Sequence, residues 1–500
     1  MNRPNLINAM QTNDATTTNG MVTHSTSNDS LIDMFFTIGA MRNQPDSEMI
    51  EKFSHAFDEN KELAVKMLFW ARDIRGGQGE RKIFRTVLNW LASNYPEFLI
   101  KVLHNIPEYG RWDDLFKLVG NSVELDKAIT KITIKGLGDK QTCQLCAKWL
   151  PREKSANKKI AINLARLFGV SRREYRKVCS GNSVTIETLM SSNKWKDIEF
   201  AKVPSVAIKK YRKALSAHLE EEFKTFLENV KAGTETVHAS TLYPYDVIRP
   251  TFNGSGYGGW GGNFSTKHMT QIEKDLLTAQ WDALPDYFQG HEKTDILPII
   301  DTSGSMFGTS GDNVPPIVVS ISLGLYLAER NQGKFKNYFM TFTDVPDIVK
   351  ITGKTLEDKC QSLRKGRVGY NTNLEAVFTK LLDTAVQNEL SESDMPRMLL
   401  LVSDMEFDGC VVPPSDSAMA MVRRMYKEAG FEVPTLVFWR VNTVTSKGNI
   451  PVKFRENNVA LVSGASPSNL KYILSADKLN PMSIMMKVLD DERYAPVSLA

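Results

Sequence analysis

Long apolar runs are absent from this 500-residue sequence, and so are the marks of a secreted, disulfide-bonded protein. No run approaches the roughly 18 apolar residues that a membrane span needs. Residues 1–29 are polar and lack the apolar core of a secretory signal, so we expect a flexible tail there. Only five cysteines are present, and the C-x-x-C at Cys143 and Cys146 has no second pair to complete a zinc site. These absences favour buried reduced thiols, no membrane contact and a cytoplasmic location.

Catalytic motifs are scarce as well. The seven histidines are scattered along the chain, and none stands as an obvious general base. The segment DIRGGQGERK lacks the G-K-[ST] ending of a phosphate loop, so we interpret it as a helix–helix turn. The segment TFNGSGYGG matches G-x-G-x-x-G without a preceding strand, which favours a linker. We therefore do not predict an enzyme.

The spacing of apolar residues changes near residue 290. From 30 to 250 they recur every three or four residues, as in LIDMFFTIGAMRN and ELAVKMLFWARDI, which predicts an α-helical repeat domain of the HEAT type. Residues 251–289 predict a Gly-rich linker and a connecting helix. In 290–500 the strands ILPII, KNYFMTFTD, RMLLLVSD, TLVFWRVN and NVALVSG alternate with helices, which indicates a doubly wound parallel sheet. The predicted fold class is α followed by α/β.

Oxygen-bearing side chains stand at three places in the predicted sheet domain. The first strand leads into Asp301, Ser303 and Ser305, YNTNL supplies Thr372 before a helix, and RMLLLVSD ends at Asp404. Ligands of parallel sheets bind beyond the carboxyl ends of the strands. Carboxylate and hydroxyl oxygens suit a hard cation such as Mg²⁺, although helix capping would explain any one motif alone. Together they predict a divalent-cation site with a position open to an acidic group of a partner.

Basic residues are concentrated between residues 148 and 213. This segment has 17 Lys or Arg and five Asp or Glu, a net charge of +12, whereas the whole chain carries +4. Such a block suggests an anionic partner, and solvated helix faces are the alternative. The candidate RNA-binding residues are Lys148, Arg152, Lys154, Lys158, Lys159, Arg172, Arg173, Arg176, Lys177, Lys209, Lys210, Arg212 and Lys213. Four aromatic residues among them either stack on bases or pack in the helical core: Trp149, Tyr175, Trp195 and Tyr211.

Several of these motifs resemble known families. DTSGSM, YNTNL and LVSD resemble the metal-ion-dependent adhesion site (MIDAS) of von Willebrand factor A domains, in which the five matching positions ligate the cation directly or through water. The usual TDG after the fourth strand is SDMEFDG here, which leaves the partner open. The stretches MLFWARDIRGGQGERKIFR, IPEYGRWDDLF, LCAKWLPREKSANKK, SRREYRKV and KVPSVAIKKYRKAL resemble the domain-of-unknown-function family 2828, which is related to the Ro autoantigen (TROVE) family.

The resemblance implies a non-enzymatic, Ro-like ribonucleoprotein component. Its helical domain is expected to bind small structured or misfolded non-coding RNA, and its A domain to hold Mg²⁺ or another divalent cation. An acidic protein group is a further expected partner at the metal site, and the molecule is expected to be a monomer. The alternative function is a metal-dependent protein–protein interaction adaptor that binds no RNA.

Overall fold

The first half of the chain is built from helices. The computed structural model describes residues 14–181, 185–253, 263–291, 294–308, 314–342, 345–363, 372–409, 417–443, 449–476 and 479–499. Several helices begin at side-chain caps, because Asp29, Asn60 and Ser122 each accept a hydrogen bond from a first-turn backbone N–H. The helical character predicted for this half is confirmed. The helices up to residue 250 are α1 (Ser30–Ile38), α2 (Asp46–Glu59), α3 (Lys61–Arg72), α4 (Lys82–Asn94), α5 (Pro96–Val102), α6 (Ile106–Tyr109), α7 (Trp112–Phe116), α8 (Val123–Gly138), α9 (Cys143–Trp149), α10 (Lys158–Leu167), α11 (Arg172–Gly181), α12 (Ile186–Ser191), α13 (Ser205–His218), α14 (Glu220–Lys231) and α15 (Pro244–Ile248).

The second half is a mostly parallel sheet covered by helices. The helices are α16 (Gln271–Asp282), α17 (Pro316–Arg330), α18 (Leu356–Leu363), α19 (Leu374–Gln387), α20 (Ala418–Ala429), α21 (Asn469–Leu474) and α22 (Pro481–Leu489). The strands of the sheet are β5 (Ile296–Asp301), β6 (Tyr338–Phe342), β7 (Ile348–Lys350), β8 (Met398–Ser403), β9 (Thr435–Arg440) and β10 (Val459–Ser463). The predicted α plus α/β class is confirmed. Short pairs β1–β2 (Asp14–Thr16, Val22–His24) and β3–β4 (Phe252–Asn253, Asn263–Phe264) lie outside this sheet.

The strand order is β10-β9-β8-β5-β6-β7. The pairs from β10 to β6 are parallel, whereas β7 pairs antiparallel with β6 at the edge. The sequence prediction missed β7, a three-residue strand with one buried side chain. After β5 the chain continues to one side of the sheet through β6, and from β8 it continues to the other. The carboxyl ends of β5 and β8 therefore meet at a topological switch point, where such sheets bind ligands.

Residues 14–29 are ordered, and for them the prediction of a flexible tail is wrong. Strands β1 and β2 pair with each other, and β2 also forms bridges to Ser417 and Ile450 of the sheet domain. Met21 is buried, and the Thr23 hydroxyl donates to the carbonyl oxygen of Ile450 at 2.9 Å. Residues 1–13 lie outside the described part of the chain. We call residues 14–24 the amino-terminal arm.

The two halves share one apolar core that runs from Met21 to Leu499. Helix α1 packs on β10, where the Ser463 hydroxyl donates to the carbonyl oxygen of Phe35 at 2.8 Å. The last residues return to the helical half, since the side chain of Asn105 donates to the carbonyl oxygen of Pro496 at 3.0 Å. Arg493 forms a bidentate pair with Asp73. Each end of the described chain is thus anchored on the opposite half.

The glycine-rich turn between α3 and α4 is a close-packed structural turn. A Cβ atom at Gly77 would lie 1.8 Å from the carbonyl oxygen of Trp70. Gly79 has a φ of +67° and packs against the Tyr243 hydroxyl, so a larger residue would be both strained and crowded there. The related segment TFNGSGYGG falls mostly on residues 254–259, which lie outside the described residues.

A buried ion pair lies beside this turn. Asp114 accepts hydrogen bonds from Arg72 Nε at 2.9 Å, Arg85 Nε at 2.6 Å and the backbone N–H of Arg111 at 3.1 Å. Through the last of these contacts Asp114 caps the first turn of the helix that contains Trp112. Burial opposes ionisation of Asp114, but the two guanidinium groups hold its pKa below the usual range.

The cysteines that the structure describes are free thiols. Cys146 and Cys179 are buried, and Cys143 is partly exposed. Burial raises the pKa of Cys146 to about 12, so its thiol stays protonated and unreactive near neutral pH. No helix in the described ranges is both long and apolar enough to cross a membrane.

Candidate cation site and basic surface

Four of the five predicted ligands gather at the switch point of the sheet, and the fifth, Thr372, accepts a backbone hydrogen bond from Asp408 of the loop after β8. Asp301 is the last residue of β5, Ser303 and Ser305 belong to the turn after it, and Asp404 follows β8. Thr372 precedes α19, whose first turn is capped by Asn373. Two interactions indicate that four of these side chains lie close together. Asp301 and Asp404 repel each other, and the hydroxyl oxygens of Ser303 and Ser305 are 3.1 Å apart.

Hydrogen bonds fix the carboxylates in place. Asp301 accepts the Ser303 backbone N–H at Oδ1 (2.9 Å) and the Ser403 hydroxyl at Oδ2 (2.6 Å). The hydroxyl of Ser320, on α17, donates to the carbonyl oxygen of Asp301 at 3.0 Å. On the neighbouring strand, Asp404 Oδ1 accepts the Glu406 backbone N–H at 3.1 Å. Each carboxylate is oriented by the loop that follows its own strand.

The site has an excess of buried negative charge. Asp301, Ser303, Thr372 and Asp404 are at most 1% exposed, whereas Ser305 is exposed. Burial, together with repulsion from Asp301, raises the pKa of Asp404 to about 7, and burial also raises the pKa of Asp301. Asp404 Oδ2 is buried without a hydrogen-bond partner among the described residues. A bound cation would supply the partner that this atom lacks.

One buried guanidinium offsets part of this charge. Arg440, at the end of β9, is attracted by Glu406 and Asp404, while its burial lowers its pKa to about 10. It donates to the carbonyl oxygen of Asn449 and lies 4.4 Å from the ring of Phe36. Within the part of the chain that the structure describes, this one arginine leaves the carboxylates around it only partly compensated.

The donor set fits a hard divalent cation. Two carboxylates and three hydroxyls are oxygen donors of the type that Mg²⁺ prefers, with water completing the shell. Within the described ranges no group of three or more His, Cys, Asp or Glu side chains could hold a metal. A cation here would therefore depend on the hydroxyl oxygens, which would contribute ligands without adding charge.

Sequence reasoning missed three residues of the site. Ser403 and Glu406 flank Asp404 inside the segment SDMEFDG, which departs from the adhesion-site pattern. Asn19 comes from the amino-terminal arm, and its amide donates to Thr372 Oγ1 at 3.2 Å. The unusual loop was the only signal for the first two residues, and no local signal identified Asn19.

Ion pairs within the protein occupy part of the predicted basic surface. Both Arg172 and Arg176 contact Glu153, at 2.7 and 2.8 Å. The other paired candidates are Lys148 with Glu187, Lys209 with Asp246 and Arg212 with Glu273. These contacts hold the segment together and reduce the charge available to an outside ligand.

The remaining candidates form an exposed group of cations. Arg152 donates to the carbonyl oxygen of Ala147 at 3.3 Å, and Lys210 lies 4.8 Å from the ring of Tyr211. The other six are exposed and have no acidic partner within the described ranges: Lys154, Lys158, Lys159, Arg173, Lys177 and Lys213. We call these six the exposed cations.

Contacts join the helices that carry the exposed cations. Glu187, on α12, binds Lys148 of α9 at 3.1 Å and accepts the hydroxyl of Tyr211 of α13 at 3.2 Å. Glu153 connects the loop after α9 with α11 through its two arginine partners. Residues that are distant in the sequence thus belong to one connected part of the surface.

The four aromatic candidates make contacts within the protein. Tyr175 is buried and donates to the carbonyl oxygen of Pro151 at 3.0 Å. Arg111 lies 4.2 Å from the ring of Trp149, and Trp195 stacks on His218 at 3.9 Å. The hydroxyl of Tyr211 binds Glu187 as described above. The packing alternative therefore accounts for Tyr175, whereas His218 covers one face of the Trp195 ring.

Family comparisons match most of the chain. A domain of unknown function, DUF2828, matches residues 17–137 and 143–290, which is more than half of the sequence. The chain belongs to the DUF2828 family. A second domain of unknown function, DUF7788, matches residues 295–495 of this DUF2828 protein, the part that contains the candidate cation site. The predicted relationship to DUF2828 is confirmed.

Two individual proteins are similar to this DUF2828 member over most of its length. "Uncharacterized protein L728" of Acanthamoeba polyphaga mimivirus is 28% identical over 528 residues, covering 96% of this chain and 88% of that protein. The crystal structure of the Deinococcus radiodurans RO (RSR) protein covers 92% of this chain and 99% of its own, at 13% identity and a TM-score of 0.44. At those values the structural likeness is too low to assign a function.

Proposed function

We propose that this DUF2828 protein binds small structured or misfolded non-coding RNA on its helical half and is not an enzyme. The observation that supports this function is the set of exposed cations on connected helices, which have no acidic partner among the described residues. Lys and Arg that face solvent attract phosphates over a wide area and release counterions when they bind. Such binding tolerates many sequences and weakens steeply with salt.

We further propose that the cluster around Asp301 and Asp404 binds Mg²⁺ or a similar divalent cation. The buried, unpartnered oxygen of Asp404 and the exposed Ser305 support this assignment. The cation would neutralise the buried carboxylates and fix the loops after β5 and β8. An acidic group of a partner could reach the cation from the side on which Ser305 is exposed.

Charge reversal on the exposed cations tests the RNA proposal. In the variant Lys158→Glu, Lys159→Glu and Arg173→Glu, each change removes a cation that makes no ion pair within the described residues. We expect affinity for a structured RNA, measured by gel shift at several salt concentrations, to fall strongly. A plot of log K against log salt has a negative slope, and in this variant the slope should become less negative by about 2. Each of the three lost phosphate contacts contributes about 0.7 on single-stranded regions.

A matched control separates local contacts from net charge. Lys354→Glu, Lys380→Glu and Lys427→Glu make the same charge change at exposed positions of the sheet domain. This control should keep most of the affinity and the original salt slope. Equal affinities for the two triple variants would contradict the assignment to the helical surface. The adaptor function would be favoured instead if the wild-type chain captured another protein only when metal is present and bound no RNA at any salt concentration.

Incubation with labelled RNA and Mg²⁺ tests the non-enzymatic part of the proposal. We expect the RNA to stay intact over hours with excess protein. Cleavage that disappears in Asp301→Ala would contradict this expectation, because it would assign chemistry to the cation site.

A further inference from the structure

The amino-terminal arm lies directly on the loops of the candidate cation site. At its turn the Thr17 hydroxyl donates to the carbonyl oxygen of Phe407 at 2.6 Å, and the Thr18 backbone N–H donates to Glu406 Oε2 at 2.8 Å. The Gly409 backbone N–H donates to the carbonyl oxygen of Asn19 at 3.0 Å. The turn of the arm thus contacts residues 406–409 of the loop after β8 through both side-chain and backbone hydrogen bonds.

Asn19 makes the closest contact between the arm and a predicted ligand. Its side-chain Nδ2 donates to Thr372 Oγ1 at 3.2 Å and to the carbonyl oxygen of Glu406 at 2.8 Å. The carbonyl can only accept, so the amide orientation is determined by chemistry. Asn19 therefore uses one lone pair of Thr372 Oγ1 and leaves the other for a cation.

The loop after Asp404 is also tied to Thr372 through the backbone. The Asp408 N–H donates to the carbonyl oxygen of Thr372 at 2.9 Å, and Gly20 forms a bridge with Asp408. Thr372, Asp404 and the arm are therefore parts of one hydrogen-bonded assembly. A change in the position of any one of them is transmitted to the other two.

We propose that the arm is the resident partner of the cation site, with Asn19 as a positioning residue for Thr372. This inference rests on the proposed cation binding. In it, the turn Thr17–Gly20 covers the Thr372 and Glu406 side of the site, and among the described residues the Ser305 side is left as the route for an external acidic group. Because the two events share Thr372 and the loop after Asp404, cation binding strengthens arm docking, and arm docking strengthens cation binding by the same factor.

Cation affinity and hydrogen exchange in the full chain test this coupling. Mn²⁺ binding is titrated by electron paramagnetic resonance, and exchange of the segment 14–24 is followed with and without saturating Mg²⁺. In the wild type we expect Mg²⁺ to slow exchange of the arm about five-fold or more. Asn19→Ala should lower Mn²⁺ affinity about ten-fold, the low end for residues that orient a metal ligand, and should reduce the effect of Mg²⁺ on the arm.

Thr16→Ala is the matched control, because Thr16 lies on the same hairpin, is exposed and makes no described side-chain hydrogen bond. It should behave as the wild type. Two results would overturn the inference and still leave the cation site standing. In the first, the wild type binds Mn²⁺ but Mg²⁺ does not change hydrogen exchange of the arm. In the second, Asn19→Ala binds Mn²⁺ with the same affinity as the wild type. Absence of Mn²⁺ binding in the wild type would overturn both. Hydrogen exchange of the segment 398–403 is measured without metal as a check on folding. Equal exchange in all variants shows that the sheet remains folded.

Discussion

Replacement of Asp404 by asparagine should have opposite effects on stability with and without metal. Asparagine keeps the shape of the side chain and can still accept the Glu406 N–H through its oxygen. Its amide nitrogen would replace the oxygen that has no partner within the described residues. The substitution also removes the repulsion between Asp404 and Asp301. In metal-free protein the variant should therefore be more stable than the wild type.

The size of the effect follows from the buried atom. A buried group without a partner costs about 1–3 kcal/mol when it is neutral and more when it is charged. The variant keeps a polar group in this position but removes its charge and the repulsion from Asp301, so we expect a gain of about 2 kcal/mol in EDTA. The two halves share one core, so the folded unit has about 500 residues, and an unfolding entropy of about 2.1 cal/mol/K per residue makes this a Tm increase of roughly 2 °C. With Mg²⁺ at 100 times its dissociation constant, the wild type should gain about 2.7 kcal/mol and the variant almost nothing.

Thermal unfolding in EDTA and in a Mg²⁺ series measures both effects. Asp383→Asn is the control, because Asp383 is an exposed carboxylate on the same domain, and it should change neither value. The stability order of wild type and Asp404→Asn should invert as Mg²⁺ is added. A variant that is less stable than the wild type in EDTA would refute the reasoning, since the carboxylate would then be compensated without a cation.

Two further substitutions test the packing of the helical half. Asp114→Asn should lower the unfolding free energy by about 3–5 kcal/mol at pH 7, because the Arg72 guanidinium stays buried opposite a neutral group. The wild type should lose this advantage as the pH falls below about 4, since Arg72 and Arg85 hold the pKa of Asp114 below its unfolded value. Urea unfolding at pH 7 and pH 3 measures both, and equal stabilities at pH 7 would contradict the prediction. Gly77→Ala should lower the unfolding free energy by about 1–3 kcal/mol, because its Cβ would lie 1.8 Å from a backbone carbonyl oxygen. Gly138→Ala is the control: a Cβ there would meet no atom within 4 Å, so the same assay should show no loss of stability.

The sheet and most of its site could be predicted because their signals are local. Strands β5, β8 and β10 are buried on both faces and appear in the sequence as continuous apolar runs. The polar residues that end β5 and β8 must meet at one edge of a parallel sheet. Thr372 could be added because it stands before a helix, although the residues just before it lie outside the described part of the chain.

The amino-terminal arm could not be predicted because its stabilising contacts are distant in the sequence. Asn19 and Thr372 are 353 positions apart, and Thr17 and Phe407 are 390 apart. The arm itself is polar and short, with composition typical of a loop. Its order comes from backbone pairing with another part of the sheet domain, which leaves no periodic pattern in the residues.

Charge counting located the basic segment but not its pairing. The net charge of +12 treats Arg172 and Lys158 alike, yet Arg172 lies 2.7 Å from Glu153, whose side chain is only 8% exposed. Lys158 has no such partner in the described residues. Only the three-dimensional arrangement separates cations that hold the fold together from cations that face solvent.

The interlocked ends of the chain have a consequence for biosynthesis. The arm docks on loops near residues 406–450, and Asp73 is held by Arg493. A ribosome adds about 5–20 residues per second, so some 400 residues must follow the arm during roughly 20–80 s before its docking site exists. During that interval α1 can pack on α2 and α3, but the part of it that packs on β10 stays uncovered. The nascent helical half must therefore remain incomplete, and exposed to chaperones and proteases, until the last strand of the sheet has been made.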